Sequence, residues 1–320
     1  RHTSDPYAIL VSELMLQQTQ VKTVLPYYEK FLKTFPTAAA LAKAPEDKVL
    51  AAWAGLGYYR RARFLHAAAK AVVQAGGFPD TLDGIRALPG VGAYTAAAVG
   101  SIAFGMPAAV VDGNVIRVMA RLLALEADAS KGAGAELVRD AAQGLLDPRH
   151  PGDFNQAVME LGASLCSPTK PQCPACPLQK HCAAFMAGKP EAYPKLPARA
   201  VSQLLVKAVA LIVRGKGTKA QLLMKQRQGD NKPKAGQAAD RLKGLGALPE
   251  LEIATEDWNL AEKAASKEAK RLVGKTVAVV GRLPKLKHGI TVYDIRLLPY
   301  WFRSDAAEPK QGWEWVGMLR

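Results

Sequence analysis

Apolar positions recur at helical spacing through the first half of the chain and turn to strand-like alternation in its last third. Asp5-Pro6 reads as a helix start, an N-cap acceptor followed by proline at the first helical position. From Tyr7 to Val21 the residues Leu10, Leu14, Gln17, Gln18 and Val21 keep helical spacing. Glu13 lies among apolar neighbours there, sharing a face with Ile9, Leu16, Gln17 and Gln20. The same period predicts helices at about 24–34, 46–54, 60–75, 81–87, 94–104, 113–124, 134–146 and 153–164. Glycine and proline punctuate them at Pro36, Pro45, Gly55-Leu56-Gly57, Gly76-Gly77 and Pro107. Near Ala187 the composition shifts, with Gly188, Pro190, Pro194 and Pro197 set among lysines, as in a linker. Beyond it, strands are predicted at Leu204–Val213, Gln221–Gln226, Thr276–Leu283, Ile290–Leu298 and Trp313–Met318, with one helix at about 255–273. The expected fold class is an all-α domain over 1–186, a linker over 187–200 and a small α+β domain over 201–320.

Length agrees, because 320 residues suit two domains better than one. A hydrophobic fraction of 49% and a charged fraction of 22% describe an ordinary globular chain rather than a disordered one. The 43 basic and 28 acidic residues leave a net charge of +15, a field that favours a polyanion such as nucleic acid over a charge kept only for solubility. No apolar run reaches the ~18 residues a membrane span needs. The sequence opens on Arg1, not Met, which leaves open a segment ahead of it.

Three motifs carry chemistry. Ala87-Leu88-Pro89-Gly90-Val91-Gly92-Ala93-Tyr94-Thr95 puts two glycines around an apolar residue just before an Ala-rich helix. That makes a tight turn whose following amides suit a phosphate. Asp112 follows in Val111-Asp112-Gly113-Asn114-Val115, where it can cap a helix. Finally, Cys166, Cys173, Cys176 and Cys182 are the only cysteines, gathered in one proline-laced stretch. This is no secreted disulfide framework, so the expectation is a reducing compartment and a metal or cluster loop. One C-x2-C pair with longer arms favours a [4Fe–4S] cluster over zinc, although ligand type alone does not decide it.

On these residues, 1–185 resemble the helix–hairpin–helix DNA glycosylases with an iron–sulfur loop, and among them the adenine DNA glycosylases of the MutY type. The segments carrying the likeness are Asp5-Pro6-Tyr7 through Val21, Gly55-Leu56-Gly57-Tyr58-Tyr59, Leu88 to Thr95, Val111 to Val115, Phe154-Asn155-Gln156 and the cysteine loop. Endonuclease III is the rival with the same fold and cysteine spacing. It has a lysine, which forms an imine, two residues after the second hairpin glycine, and an apolar residue at the position of Glu13. This chain has Tyr94 and Glu13, which points to a glycosylase that does not cut the strand.

The resemblance implies that Glu13, whose charged form an apolar helix face disfavours, protonates adenine N7. Asp112 then faces the sugar as an ionised group, with Tyr94 and Asn114 completing the pocket. Gln17, Gln18 and Tyr58, with Leu88, Gly90, Val91 and Gly92 of the hairpin, would meet the DNA, Gln18 and Tyr58 entering the duplex. The four cysteines would hold a [4Fe–4S] cluster with a structural role, Lys170, Lys180 and His181 lying near the backbone. Residues 201–320 resemble the Nudix-like domain that reads 8-oxoguanine opposite the adenine. Gly246 replaces a usual tryptophan, however, and Glu262 and Glu268 are too sparse for a Nudix hydrolase's metals. The lesion-reading loop should fall at Ile290-Thr291-Val292, where Thr291 keeps a hydroxyl but the family's aromatic and imidazole are gone. The implied partner is double-stranded DNA with an adenine opposite 8-oxoguanine or guanine, bound by a monomer in a bacterial cytoplasm.

Overall fold

The computed structural model describes residues 3–197, 202–226, 246–290 and 293–317. It divides into two compact units, Arg1–Ala198 and Arg199–Arg320. The first is built of helices α1 (Pro6–Leu16), α2 (Val21–Thr34), α3 (Ala38–Lys43), α4 (Glu46–Trp53), α5 (Arg60–Gln74), α6 (Leu82–Arg86), α7 (Ala93–Phe104), α8 (Gly113–Leu122), α9 (Gly132–Leu145), α10 (Pro151–Ser164) and the short α11 (Ala183–Met186). Its main core joins α1, α2, α4 and α5, where Phe31 meets the Trp53 ring edge-on at 5.9 Å. Among the described residues no helix is long and apolar enough to cross a membrane.

The Asp5 carboxylate caps α1 by accepting from the Tyr7 amide at 3.0 Å. The helix stops at Leu16 instead of running to Val21, because Gln18 takes a left-handed φ of 57°. The Arg61 guanidinium binds the carbonyls of that last turn and so favours the break. α3 was not expected. It is six residues capped by Thr37, too short for a period to register.

The expected linker over 187–200 needs correction across 187–197. Tyr193 is buried, its carbonyl accepts from Arg121 Nε at 3.1 Å and its hydroxyl binds Glu126. The Lys195 carbonyl accepts from the Ala129 amide at 3.1 Å. Glycine and proline serve here to turn a packed tail back onto the helices rather than to loosen it.

Among its described residues the second unit is a mixed sheet with one α-helix. Its strands are β1 (Gln203–Arg214), β2 (Gln221–Gln226), β3 (Gly246–Ala247), β4 (Glu250–Ile253), β5 (Ala278–Arg282), β6 (Leu286–Ile290), β7 (Tyr293–Arg303) and β8 (Glu314–Gly317), with α12 (Trp258–Val273) after β4. The central path runs β3-β2-β1-β7-β5, with β4 on β1, β6 on β7 and β8 on β2. β1 and β7 pair in parallel from Gln203↔Tyr293 to Val213↔Arg303. Val206, Ala208, Ala210 and Ile212 alternate onto one face of β1 and pack with Ala261, Ala265 and Ala269, a small-residue stripe on α12. The expected strand at Ile290–Leu298 is instead the end of β6 and the first part of β7. Alternation continues through Tyr293, Asp294, Ile295 and Arg296, so the period alone does not mark where β7 begins. Thr291 and Val292 lie outside the described residues, as do Gly244 and Leu245.

Candidate active site

Glu13 has no exposed surface, although it is a carboxylic acid on a helix. Burial follows from the position of α1, which packs against α2, α5 and α7. The Tyr94 hydroxyl, on the first turn of α7, donates to Glu13 Oε2 and lies 3.8 Å from Met159 Sδ. Tyr94, expected with Asn114 around Asp112, thus makes its direct contact with Glu13, across 81 positions of sequence.

Tyr94 is held there by the turn between α6 and α7. Gly90 has a φ of 77°, and a Cβ on it would stand 2.4 Å from Phe64 Cβ, so both its conformation and its close approach require glycine. Gly92 is the N-cap of α7 with no side-chain bond, and nothing lies within 4 Å of where its Cβ would be. The first-turn amides of α7 are thus uncapped beside an exposed backbone, an arrangement suited to a phosphate. Leu88 and Val91 belong to the main core, so only their backbone can meet a ligand.

Asp112 caps α8. Its Oδ1 accepts from the Val115 amide at 2.7 Å and its Oδ2 from Asn114 Nδ2 at 3.2 Å. Asn114 Oδ1 accepts in turn from Arg117 Nη2 at 2.8 Å, and Arg117 reaches the Gly162 and Cys166 carbonyls, each at 2.7 Å. Asn155, buried on α10, fixes the segment just before Asp112. It accepts from the Val110 amide and donates to the Ala108 carbonyl, both at 2.9 Å. The two carboxylates sit on helices packed in series, α1 on α7, α7 on α10 and α10 on α8. Met159 of α10 touches Tyr94 on one side and joins the apolar cluster of Val111 and Val115 on the other.

Gln17 is half-buried at the end of α1, while Gln18 and Tyr58 are exposed, Tyr58 to 47%. Both exposed residues have left-handed backbones. Thr291 lies outside the described residues.

All four cysteines are half-buried and line one pocket together with Arg121, Leu165, Pro171, Gln179, Phe185 and Pro190. Burial, and after it the neighbouring Cys182 and Cys166 sulfurs, pushes the Cys173 thiol up. Arg121 donates to Cys166 Sγ at 3.3 Å and to the Ser167 and Pro168 carbonyls at 2.7 and 2.9 Å. Among the described residues no three metal-binding side chains are spaced for a single ion, whereas the pocket gathers all four thiols.

A family profile described as "HhH-GPD superfamily base excision DNA repair protein" matches residues 11–143. A solved structure of a thermostable thymine-DNA glycosylase is 32% identical and superposes with a TM-score of 0.53, covering 58% of this chain and 87% of the other. The chain belongs to the HhH-GPD superfamily. A non-covalent endonuclease III–DNA complex is 25% identical with a TM-score of 0.51, covering 58% of this chain and 89% of that one. The adenine DNA glycosylase of Rattus norvegicus is 50% identical over 181 residues, 56% of this chain and 35% of that protein. The chain thus spans about a third of the length of such curated relatives.

The segment matched to the HhH-GPD superfamily includes Glu13, the Gly90 hairpin and Asp112 and ends before the cysteine loop. Arg117 and Asn155 are the supporting residues that sequence reasoning left without a role. Arg117 stands three positions after Asn114 on α8, a helical spacing that brings side chains together, and that was the available signal. Asn155 stands in the Phe154-Asn155-Gln156 segment of the family likeness, but its role is not local in sequence, since its partners lie 45 or more positions away.

Proposed function

We propose that the chain is a monofunctional adenine DNA glycosylase acting on adenine opposite 8-oxoguanine or guanine in duplex DNA. One observation carries the reading. A wholly buried Glu13 is bonded by Tyr94, and Tyr94 stands at the hairpin position where a strand-cutting relative has an imine-forming lysine.

The chemistry divides between the two carboxyl groups. Glu13 gives its proton to adenine N7 as the bond between sugar C1′ and N9 breaks, and the bonding pair leaves with the base. Asp112, fixed by the Val115 amide and Asn114, faces the cation left on the sugar. Water adds at C1′, and its proton returns to the Glu13 carboxylate. Tyr94 orients Glu13. The adenine must first leave the stack, at a cost of a few kcal/mol of unpairing and unstacking, and Gln18 and Tyr58 entering the duplex offset that. The α6–α7 turn offers its uncapped amides to a phosphate, which positions the backbone without reading sequence.

The test is a cleavage assay on duplexes carrying adenine opposite 8-oxoguanine. Strand breaks should form only after alkali, because the product is an intact abasic site. Nicking without alkali would instead support a glycosylase/lyase.

Cys166, Cys173, Cys176 and Cys182 would hold a [4Fe–4S] cluster, an assignment supported by four thiols around one pocket whose described lining includes no carboxylate or imidazole. When bound, such a cluster supplies a four-point tether for the loop rather than a reacting centre. The purified chain should absorb broadly near 400 nm and contain iron and acid-labile sulfide. Stoichiometric zinc without sulfide would overturn the assignment. The second unit is proposed to read the base opposite the adenine, with Thr291 as its contact.

A further inference from the structure

Among the described residues four that are not glycine have left-handed backbones, and two of them, Gln18 and Tyr58, adjoin a single side chain, Arg61. This arginine on the first turn of α5 is only 7% exposed. Its Nη1 donates to the Leu14 and Met15 carbonyls, each at 3.0 Å, and to the Gln17 carbonyl. Its Nη2 donates to Thr19 Oγ1 at 3.2 Å and to the Leu56 and Gly57 carbonyls, each at 3.4 Å. The guanidinium carbon also stands 5.0 Å from the Tyr58 ring centroid and 5.7 Å from that of Trp53.

The partners are carbonyl oxygens, one hydroxyl and ring faces. Burial lowers the guanidinium below its ordinary pKa, and Tyr58 partly offsets that. The C-terminal carbonyls of α1 carry the negative end of the helix dipole and supply the compensating charge. A planar fork with five donors can satisfy two turns at once, which a lysine cannot. Left-handed backbone is unfavourable for a residue with a Cβ and persists where its surroundings over-determine it. Arg61 is what surrounds both.

We infer that Arg61 is a positioning residue that locks the Gln18 turn and the Gly57-Tyr58 turn into one rigid edge, so that the two side chains enter the duplex together and extrude the adenine. This rests on the glycosylase reading above. It assigns Arg61 to extrusion and not to cleavage of the glycosidic bond.

The test places 2-aminopurine at the adenine position opposite 8-oxoguanine and reads its fluorescence at saturating protein, in a Glu13→Gln background. With Arg61 present, binding should raise the fluorescence strongly. With Arg61→Lys the rise should fall at least five-fold per bound duplex, while the circular dichroism spectrum is kept. Arg61→Met should match it. An equal rise with arginine and lysine overturns the inference, whatever the change in melting temperature. Should Arg61→Lys fail to fold, Thr19→Val removes one Nη2 partner and leaves the arginine, and a smaller drop of about two-fold is expected; an unchanged rise would again overturn the inference. Failure of the glycosylase reading looks different. It gives no rise with Arg61 present and no adenine release by the unsubstituted chain, and the inference falls with it.

Discussion

Glu13→Gln should all but abolish adenine release, with single-turnover rates lower by about 10³-fold, the middle of the range a positioned general acid contributes. The substitution changes little else. Glutamine has nearly the same volume and keeps an oxygen to accept from the Tyr94 hydroxyl, so packing between α1 and α7 survives. It cannot deliver a proton, and adenine is a poor leaving group without one. Affinity for the mispaired duplex should stay within a few-fold, because no phosphate contact is lost. Gel-shift titration and single-turnover release, measured on one preparation, separate the two quantities. A Glu13→Gln chain that releases adenine at the unsubstituted rate would remove Glu13 from the chemistry altogether. Equal loss of binding and release would instead make the residue structural.

The residues that could be read in advance are those whose chemistry is local in sequence. Gly90 announces itself because a turn entering an Ala-rich helix needs a positive φ, and the structure adds that Phe64 leaves no room for a Cβ. Asp112 likewise reads as a cap from its neighbours alone. Glu13 was conspicuous as an acid in an apolar setting, yet only tertiary packing decides that α7 covers it. The end of α1 is not legible in the sequence because the period continues to Val21, whereas the break depends on Arg61, more than 40 positions away. The tail after Ala187 is illegible for the opposite reason. Its composition is that of a linker, but the buried Tyr193, whose carbonyl accepts from Arg121, and the Lys195 carbonyl, which accepts from the Ala129 amide, make it part of the first unit. Leu88 and Val91 were grouped with the hairpin's contact residues by position, but their side chains point into the core. In the second unit β3 and β4 are too short for alternation to register, and their partners β2 and β1 define them.

Long-range hydrogen bonds also link the two regions that sequence treated separately. From Asp112 the contacts run through Asn114 and Arg117 to the Cys166 carbonyl, so the cysteine loop and the capping aspartate share one support. Gly162 makes that approach possible, since a Cβ there would stand 2.6 Å from Asn114 Cβ. A loop remote from Asp112 in sequence is thereby part of what holds that residue still.

Asp112→Asn should separate capping from catalysis, which no other substitution at this position does as cleanly. Asparagine caps helices about as well as aspartate, so the bond from the Val115 amide persists and stability should change by no more than about 1 kcal/mol, the worth of one charge at a helix N-terminus. What disappears is the negative charge that the proposed mechanism places opposite the sugar. A carboxylate ~4 Å from a unit positive charge, at an effective dielectric of ~20, contributes about 4 kcal/mol. That corresponds to roughly 10³ in rate. The expected result is therefore a melting temperature within a few degrees of the parent and a single-turnover rate lower by 10²–10³ or so. Asp112→Ala should lose the rate as well and in addition about 1 kcal/mol from the missing cap. Thermal melts and release rates on all three chains decide the matter. If Asp112→Asn stays within ten-fold of the parent while Asp112→Ala melts early, the aspartate is a cap and nothing more, and the cation must find its stabilisation elsewhere.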